Sequence, residues 1–346
     1  MPPRPQKQGG AERDNLTVWS GQSGWHEAYT LKVSDPRQGV ALWLRYVLVA
    51  PVEGEAFVEL WGIAFNGAGT HKHIIIREVR PFEQARFDRR PFAFQIERAV
   101  LTHKSARGRI EGDGQRLAWV MHWEGAATSF RPYPLKAFYD SGLIASKVLV
   151  PNPDLRISGE VLFNKRRIEL NGAVGVQLHS WGPRLPRGSA WAHCATFRED
   201  PDASFEAIAT DPGGLLQPRL NAFRFCYDGE EHVVNDLRQL LGAKGRYDPN
   251  GWYFDVIRGD RRFEGTIEVP YGRTAGLAYQ DPSGESAYAY NTQLANMTLA
   301  VYRKQGNAWK QERELSAEAS CGLEVLTRTP DPEIPLAIQD SVELDG

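Results

Sequence analysis

The chain has 346 residues, 42% hydrophobic and 24% charged, with a formal net charge of −2 and an isoelectric point near 6.5. That balance argues against a protein whose affinity comes from nucleic-acid phosphate or an anionic membrane surface. No window approaches the roughly 20 apolar residues of a membrane-spanning helix.

In chain order, residues 1–14 ("MPPRPQKQGGAERD") carry charge without an apolar run. They read as a disordered arm and not as a secretory signal. Strand-like alternation begins with "VALWLRYVLVAP", where Leu42, Leu44, Tyr46 and Leu48 share one face and Trp43, Arg45, Val47 and Val49 the other. "FVELWGIAFNG" follows the turn "PVEGEA" as the second arm of a hairpin. The same idiom continues through "RLAWVMHWEG", "LRISGEVLFN" and "RRIELNGAVGVQLHSWG", then "AWAHCATFRE", "NAFRFCYDGEE", "GWYFDVIRGD", "AYAYNTQL" and "MTLAVYRKQG". Helical windows are few. "VNDLRQLLGAKG" sets Leu237, Leu240 and Leu241 at helical spacing, with Asn235 as N-cap and Gly242 as stop. "AFYDSGLIASKVLVP" reads as a short helix or a connection. The chain is therefore mainly β, and strands about 8–12 residues apart suit sandwiches or barrels.

At this length two domains are expected. Two prolines in "KVLVPNPDLRISG" put the boundary near residue 160, giving domains at 15–160 and 161–328. The tail, 329–346, reads as extended or disordered.

Chemistry has to be sought outside the common signatures, because there is no GxSxG, HExxH, P-loop or GxGxxG. Three cysteines, Cys194, Cys226 and Cys321, form no CxxC pair and no even disulfide set, which argues against thiolate zinc and suits a reducing, cytoplasmic setting. What stands out is aromatic content, with ten Trp, twelve Tyr and fifteen Phe, among which polar residues recur on strand faces. In "GVQLHSWG" the column is Gln177, His179 and Trp181. In "RGSAWAHCATF" it is Trp191, His193 and Phe197. An imidazole near neutrality can give or take a proton, whereas neither histidine has the further ligands a metal needs.

Arg45, between Trp43 and Val47, is expected either to pair with a carboxylate such as Glu59 or to line a wet cavity. Asp255 and Tyr253 share a face in "GWYFDVIRG", and an acid among aromatics is a candidate proton donor. Tyr288 and Tyr290 share another face, with Asn291 and Gln293 opposite. These tyrosines either orient a substrate or fill a barrel. Asp140, Asp211, Asp255 and Glu268 show no spacing that pairs them for glycoside chemistry.

The run "KVLVPNPDLRISGEVLFNKRRIELNGAVGVQLHSWG" resembles the junction motif of the two-domain lipocalin-like proteins. That group includes carotenoid 1,2-hydratase (hydroxyneurosporene synthase) and AttH-like proteins, and more distantly tocopherol cyclase and fungal Diels–Alderases. His179-Ser180-Trp181-Gly182 stands where many members have H-N-W-G. "ALWLRYVLVAP", "ELWGIAF" and the hairpin with Tyr279, Asp281, Pro282 and Gly284 are similar to further family segments, so the resemblance spans about residues 15–328. It implies two tandem lipocalin-like antiparallel β-barrels or barrel-like sandwiches, with a hydrophobic pocket in or between them and no redox cofactor.

The sequence thus leads to a cofactor-independent enzyme, without metal, that folds a terpenoid, polyene or polyketide-like molecule in an aromatic pocket and assists cyclisation, hydration or isomerisation. His179 or Asp255 would donate the proton and Arg45 would polarise a carbonyl or hold an acid. Trp43, Gln177, Trp181, Trp191, His193, Tyr253, Tyr288, Tyr290 and Asn291 would contact the substrate. The alternatives are a lipophilic-ligand carrier and a structural module with filled barrels. Either a monomer or a homodimer is compatible.

Overall fold

The computed structural model describes residues 10–67, 73–89, 91–126, 128–142, 144–211, 220–236 and 244–338. The first sheet contains β1 (Trp25–Asp35), β2 (Val40–Ala50), β3 (Phe57–Ala64), β4 (Ile74–Pro81), β5 (Ala85–Arg89), β6 (Phe92–Ile96), β7 (Ala99–Thr102), β8 (Ser105–Gly112), β9 (Gln115–His122), β10 (Lys147–Phe163) and β11 (Arg166–Gly182). Their order is β4-β3-β2-β1-β11-β10-β9-β8-β7-β6-β5. The second sheet contains β12 (Gly188–Cys194), β13 (Ser204–Asp211), β14 (Leu220–Tyr227), β15 (Glu230–Val234), β16 (Lys244–Asp248), β17 (Gly251–Arg258), β18 (Arg261–Glu268), β19 (Ala275–Gln280), β20 (Ser286–Gln305), β21 (Ala308–Thr327) and β22 (Leu336–Ile338). Here the order is β15-β14-β13-β12-β21-β20-β18-β17-β16, with β19 on β20 and β22 parallel to β19. The expected mainly β, two-sheet architecture is what the chain adopts.

Each sheet curls around its own core. In the first, Leu42, Leu44, Tyr46 and Leu48 of β2 turn inward to meet Tyr29, Leu31, Phe94 and Trp119. In the second, Phe205, Phe223, Phe225, Phe254 and Phe263 pack inward, Phe225 and Phe263 stacked with centroids 4.0 Å apart. The outer faces then pack on each other. Trp43, Val47 and Val49 meet Leu277, Ala287 and Ala289, while Val176 and Leu178 meet Trp191, Ile208 and Ala222. Every residue of β2 is buried because both of its faces are covered.

The change of sheet falls between Gly182 and Gly188, so the boundary expected at residue 160 lies inside the β10–β11 hairpin. Pro151 and Pro153 sit within β10, where its register against β11 shifts between Leu149 and Asn152 and again before Leu155. A bulge tolerates proline because the ladder is already interrupted there, so these prolines mark an irregular strand and not a linker.

Gly182 closes β11 because a Cβ there would lie 1.9 Å from the Ala145 carbonyl oxygen. Within the stretch expected to be a disordered arm, α1 (Gly10–Arg13) leads into a segment that hydrogen-bonds to β1 and β11 of the first sheet. The tail supplies β22, whose partner β19 the sequence did not reveal. α2 (Lys136–Asp140) is the short helix of "AFYDSG". Leu237, Leu240, Leu241 and Gly242, the expected helix, lie outside the described residues, and the Asn235 amide donates to the Arg131 carbonyl (2.8 Å).

Candidate functional site

Alternation along β1, β2 and β11 creates two polar sites on opposite sides of one ribbon of strands. On the outer side, His26 and Thr30 of β1, Arg45 of β2 and Ser180 of β11 face Trp191 of β12, Thr210 of β13 and Glu324 of β21. Between them lies a cleft of about 100 Å³, with Lys147 and Leu178 in its walls and Leu185 and Pro186 of the connection between the sheets at its edge. The cleft is partly open to its surroundings and has room for several waters. A drug-sized ligand, needing about 300 Å³ or more, exceeds the volume of the cleft as it stands.

The electrostatics of the cleft follow from dehydration. Burial, reinforced by the Arg45 charge, lowers the His26 imidazole to about 4, so it is neutral near pH 7. Its Nδ1 has no hydrogen-bond partner among the described residues. Burial raises Glu324 above the ordinary carboxylate value, against the opposing effects of Arg45 and the Asn291 amide, which donates to Oε2 (2.6 Å). Burial opposes the Arg45 charge, but Tyr279, Glu324 and Glu59 outweigh it and the guanidinium stays ionised. It lies 4.4 Å above the Tyr279 ring centroid. Burial also lowers Lys147, whose Nζ donates to the Ile144 carbonyl (2.7 Å).

Behind Trp191 sits a second buried acid. The Trp191 indole donates to Glu206 Oε1 (2.7 Å), and Oε2 has no partner among the described residues. Burial pushes Glu206 up to about 8. His193, opposite Glu206 across β12 and β13, is fully buried, and Lys32 Nζ donates to its carbonyl (2.7 Å). Burial, with the Lys32 charge, holds His193 well below the usual imidazole range.

The inner side of the ribbon carries the column Gln177, His179 and Trp181. His179 Nε2 is 2.9 Å from Glu27 Oε1, and its ring stacks on Tyr29 at 4.3 Å. Its Nδ1 meets the Asp14 carbonyl at 2.6 Å. Gln177 Oε1 accepts from Asn152 and Asn15 (2.6 and 3.0 Å), and the backbone amides of Val18 and Trp19 donate to Glu27. Segment 14–19 therefore occupies the mouth of this site.

The structure thus divides the sequence-predicted residues. Arg45 and Trp191 line the cleft, and Trp43, His193 and Asn291 lie at the same junction. His179, Gln177 and Trp181, expected beside them, face the interior of the first sheet instead, because they occupy the other parity of β11. Asp255 is no pocket acid: on the outer side of the second sheet it pairs with Arg262 (2.8 and 3.0 Å), beside Tyr253, which is 43% exposed. Tyr288 and Tyr290 alternate with Ala287 and Ala289 and turn away from the junction, Tyr290 accepting the Asp331 backbone amide. Sequence reasoning missed His26, Lys147, Glu206 and Glu324. In "GWHEAYTLK" the polar alternates His26, Thr30 and Lys32 were the available signal, though the same pattern describes a solvent face. Among the described residues no group of three His, Cys, Asp or Glu forms a metal site, and no helix is long and apolar enough to cross a membrane.

The fold has counterparts among solved proteins. The chain is similar in fold to kievitone hydratase from Nectria haematococca, at a TM-score of 0.53 and 9% identity over 93% of each chain. CghA, solved with Sch210972, gives 0.53 and 9% identity over 90% of this chain and 93% of that one. A putative AttH protein of Nitrosomonas europaea gives 0.51 and 11% identity over 88% and 92%. These likenesses show the two-sheet fold. In sequence, an uncharacterised protein of Mycobacterium tuberculosis, present in two strains, is 24% identical over 310 residues, covering 86% of this chain and 89% of the relative. No protein-family model matches the chain.

Proposed function

We propose that the chain is a cofactor-independent enzyme acting on an apolar, carbonyl-bearing small molecule of terpenoid, polyene or polyketide type in the junction cleft. The observation that carries this is the setting of Glu324: a buried acid with a raised pKa, lining the junction cleft with a cation and a neutral imidazole with a free nitrogen.

The charges in the cleft favour one course of reaction. Arg45 and Lys147 oppose a bare carbocation and stabilise negative charge developing on oxygen, so an enolate-like transition state fits better. In a hydration, water adds to the β-carbon of an unsaturated carbonyl while Arg45 holds the oxygen. Glu324 delivers its proton to the α-carbon, His26 Nδ1 takes the proton released by water, and transfer from His26 back to Glu324 resets the site. Isomerisation or cyclisation of such a carbonyl compound would use the same groups. The names of the fold neighbours support the reading: one is a hydratase, and another was solved with a bound small molecule.

The test begins with solvent extraction and native mass spectrometry of the purified protein, to find the molecule that travels with it. That molecule or its precursor is then incubated with the wild type and with Glu324→Gln. Turnover is expected to fall by about 10²-fold or more, the usual contribution of a general acid, with binding retained. Ligand recovered unaltered from the wild type would establish a carrier instead.

A further inference from the structure

Three thiols are free, and two of them meet. β12 and β21 pair antiparallel with Ser189 opposite Leu326 and His193 opposite Gly322, so the next step of the register sets Cys194 opposite Cys321. Both are fully buried in the core of the second sheet, where Cys194 Sγ lies 3.7 Å from Thr196 Oγ1 and Cys321 Sγ donates to the Gly322 carbonyl (3.5 Å), and each thiol shifts the ionisation of the other. Directly opposed residues of an antiparallel pair have Cα atoms about 4.5 or 5.5 Å apart. Both separations lie in the range of about 4.4–6.8 Å that a disulfide spans, so bridging needs no rearrangement of the strands.

The surroundings favour reaction at one sulfur. Burial opposes ionisation of Cys194, but contact with Cys321, the Lys32 charge and Thr196 outweigh it and pull this thiol below its ordinary value. Cys321 moves the other way. The ladder between β20 and β21 is also broken beside the pair: its register shifts on both sides of the Ala295–Cys321 pairing, and Ala319 is left-handed at φ 47. Interrupted pairing lowers the cost of local opening, the route by which a small oxidant reaches buried sulfur.

We propose that Cys194 and Cys321 are a redox-active pair that closes to a cross-strand disulfide on exposure to peroxide. The Cys194 thiolate attacks one oxygen of hydrogen peroxide and the O–O bond breaks. The departing hydroxide takes the proton that Cys194 released and leaves as water, giving a sulfenic acid. Cys321 sulfur then attacks Cys194 sulfur; the S–S bond forms, the S–O bond breaks, and the second hydroxide leaves as water with the Cys321 proton. The two sulfurs together lose the two electrons that reduce the peroxide to water. The bond ties together the two strands that present Trp191 and Glu324, themselves directly opposed, on the cleft side.

The full-length folded chain is treated with hydrogen peroxide, then alkylated in denaturant and digested for peptide mass spectrometry. The expected result is a fall from three alkylated thiols to one, Cys226, with a joined Cys194–Cys321 peptide lighter by two hydrogens and restored by dithiothreitol. Cys226→Ser, at a half-buried thiol of β14, is expected to keep the link, and Cys194→Ser to lose it. Three thiols still alkylated, a sulfinic acid on Cys194 with Cys321 free, or a link through Cys226 would each overturn the proposal.

Discussion

Glu27 and His179 are diagonal neighbours across the β1–β11 ladder, their side chains 2.9 Å apart and both fully buried, on the side of the ribbon turned away from the cleft. Tyr29 also donates to the Glu27 carboxylate (2.7 Å), and the backbone amides of Val18 and Trp19 complete its shell. With Asp14 and Asn15 sealing the mouth, the geometry is that of a buttress holding the N-terminal segment in the first sheet.

Removing the charge from that buttress should cost stability. Glu27→Gln breaks a buried, hydrogen-bonded pair and is expected to lose about 3 kcal/mol in urea unfolding at pH 7. Burial raises the Glu27 pKa, but the hydrogen bond and charge of His179, with Tyr29 and Val18, bring it below its ordinary value. A depressed carboxyl stabilises above its unfolded pKa and loses that contribution as pH falls through the folded one. The gap between wild type and variant should therefore shrink below about pH 4. A gap that does not change with pH would deny the pair its charge.

Glu206 carries the opposite sign. Its folded pKa, raised to about 8 by burial, makes the acid stabilising below the ordinary carboxylate range and progressively less so as pH rises through 8. Glu206→Gln keeps an acceptor for the Trp191 indole and removes the ionisation. Urea midpoints at about pH 5, 7 and 9 should move steadily in the variant's favour, and parallel curves would contradict the assignment.

His26, lowered to about 4 from 6.5 by burial and then by Arg45, is a third titration with its own window. Between those values the unfolded chain binds a proton that the folded chain refuses, so stability falls with acidification across this range. His26→Gln should flatten that slope. Thermal melts of both proteins at half-unit intervals across the window read the difference directly.

Access to the cleft depends on the connection between the sheets. Asp281 accepts the Leu185 amide and the Arg328 guanidinium, both at 2.8 Å, and Arg328 also donates to the Leu185 carbonyl (2.8 Å). Arg328→Ala removes two of these three ties, at a cost of about 1.5–3 kcal/mol for hydrogen bonds to charged groups. Limited trypsin digestion should then cut after Arg184 or Arg187 several-fold faster than in the wild type. Equal cleavage rates would mean that the connection is held by packing alone.

Much of this was legible in the sequence, with one kind of ambiguity. Alternation identifies β2 as a strand with two distinct faces, and for Arg45 the sequence offers either a carboxylate partner or a cavity. It lines the cleft over Tyr279, while Glu59 takes Arg77 and Trp61. Alternation also grouped Gln177, His179 and Trp181 correctly. It could not say which core that column joins, because β11 has a buried environment on each side. For the same reason His26 looked like an ordinary solvent-facing alternate. Parity within a strand is local information, whereas the identity of the face comes from the packing of the two sheets.

The ribbon of β1, β2 and β11 is a single backbone thick, and it is a shared wall. A molecule pressing on Thr30 and Arg45 pushes on the same peptide groups that carry Tyr29 and Leu44 into the first core. Filling the cleft is therefore expected to raise hydrogen-exchange protection along the ladder that holds Glu27 and His179. The N-terminal segment and the cleft thus lean on opposite faces of one backbone layer, although the two sites share no side chain.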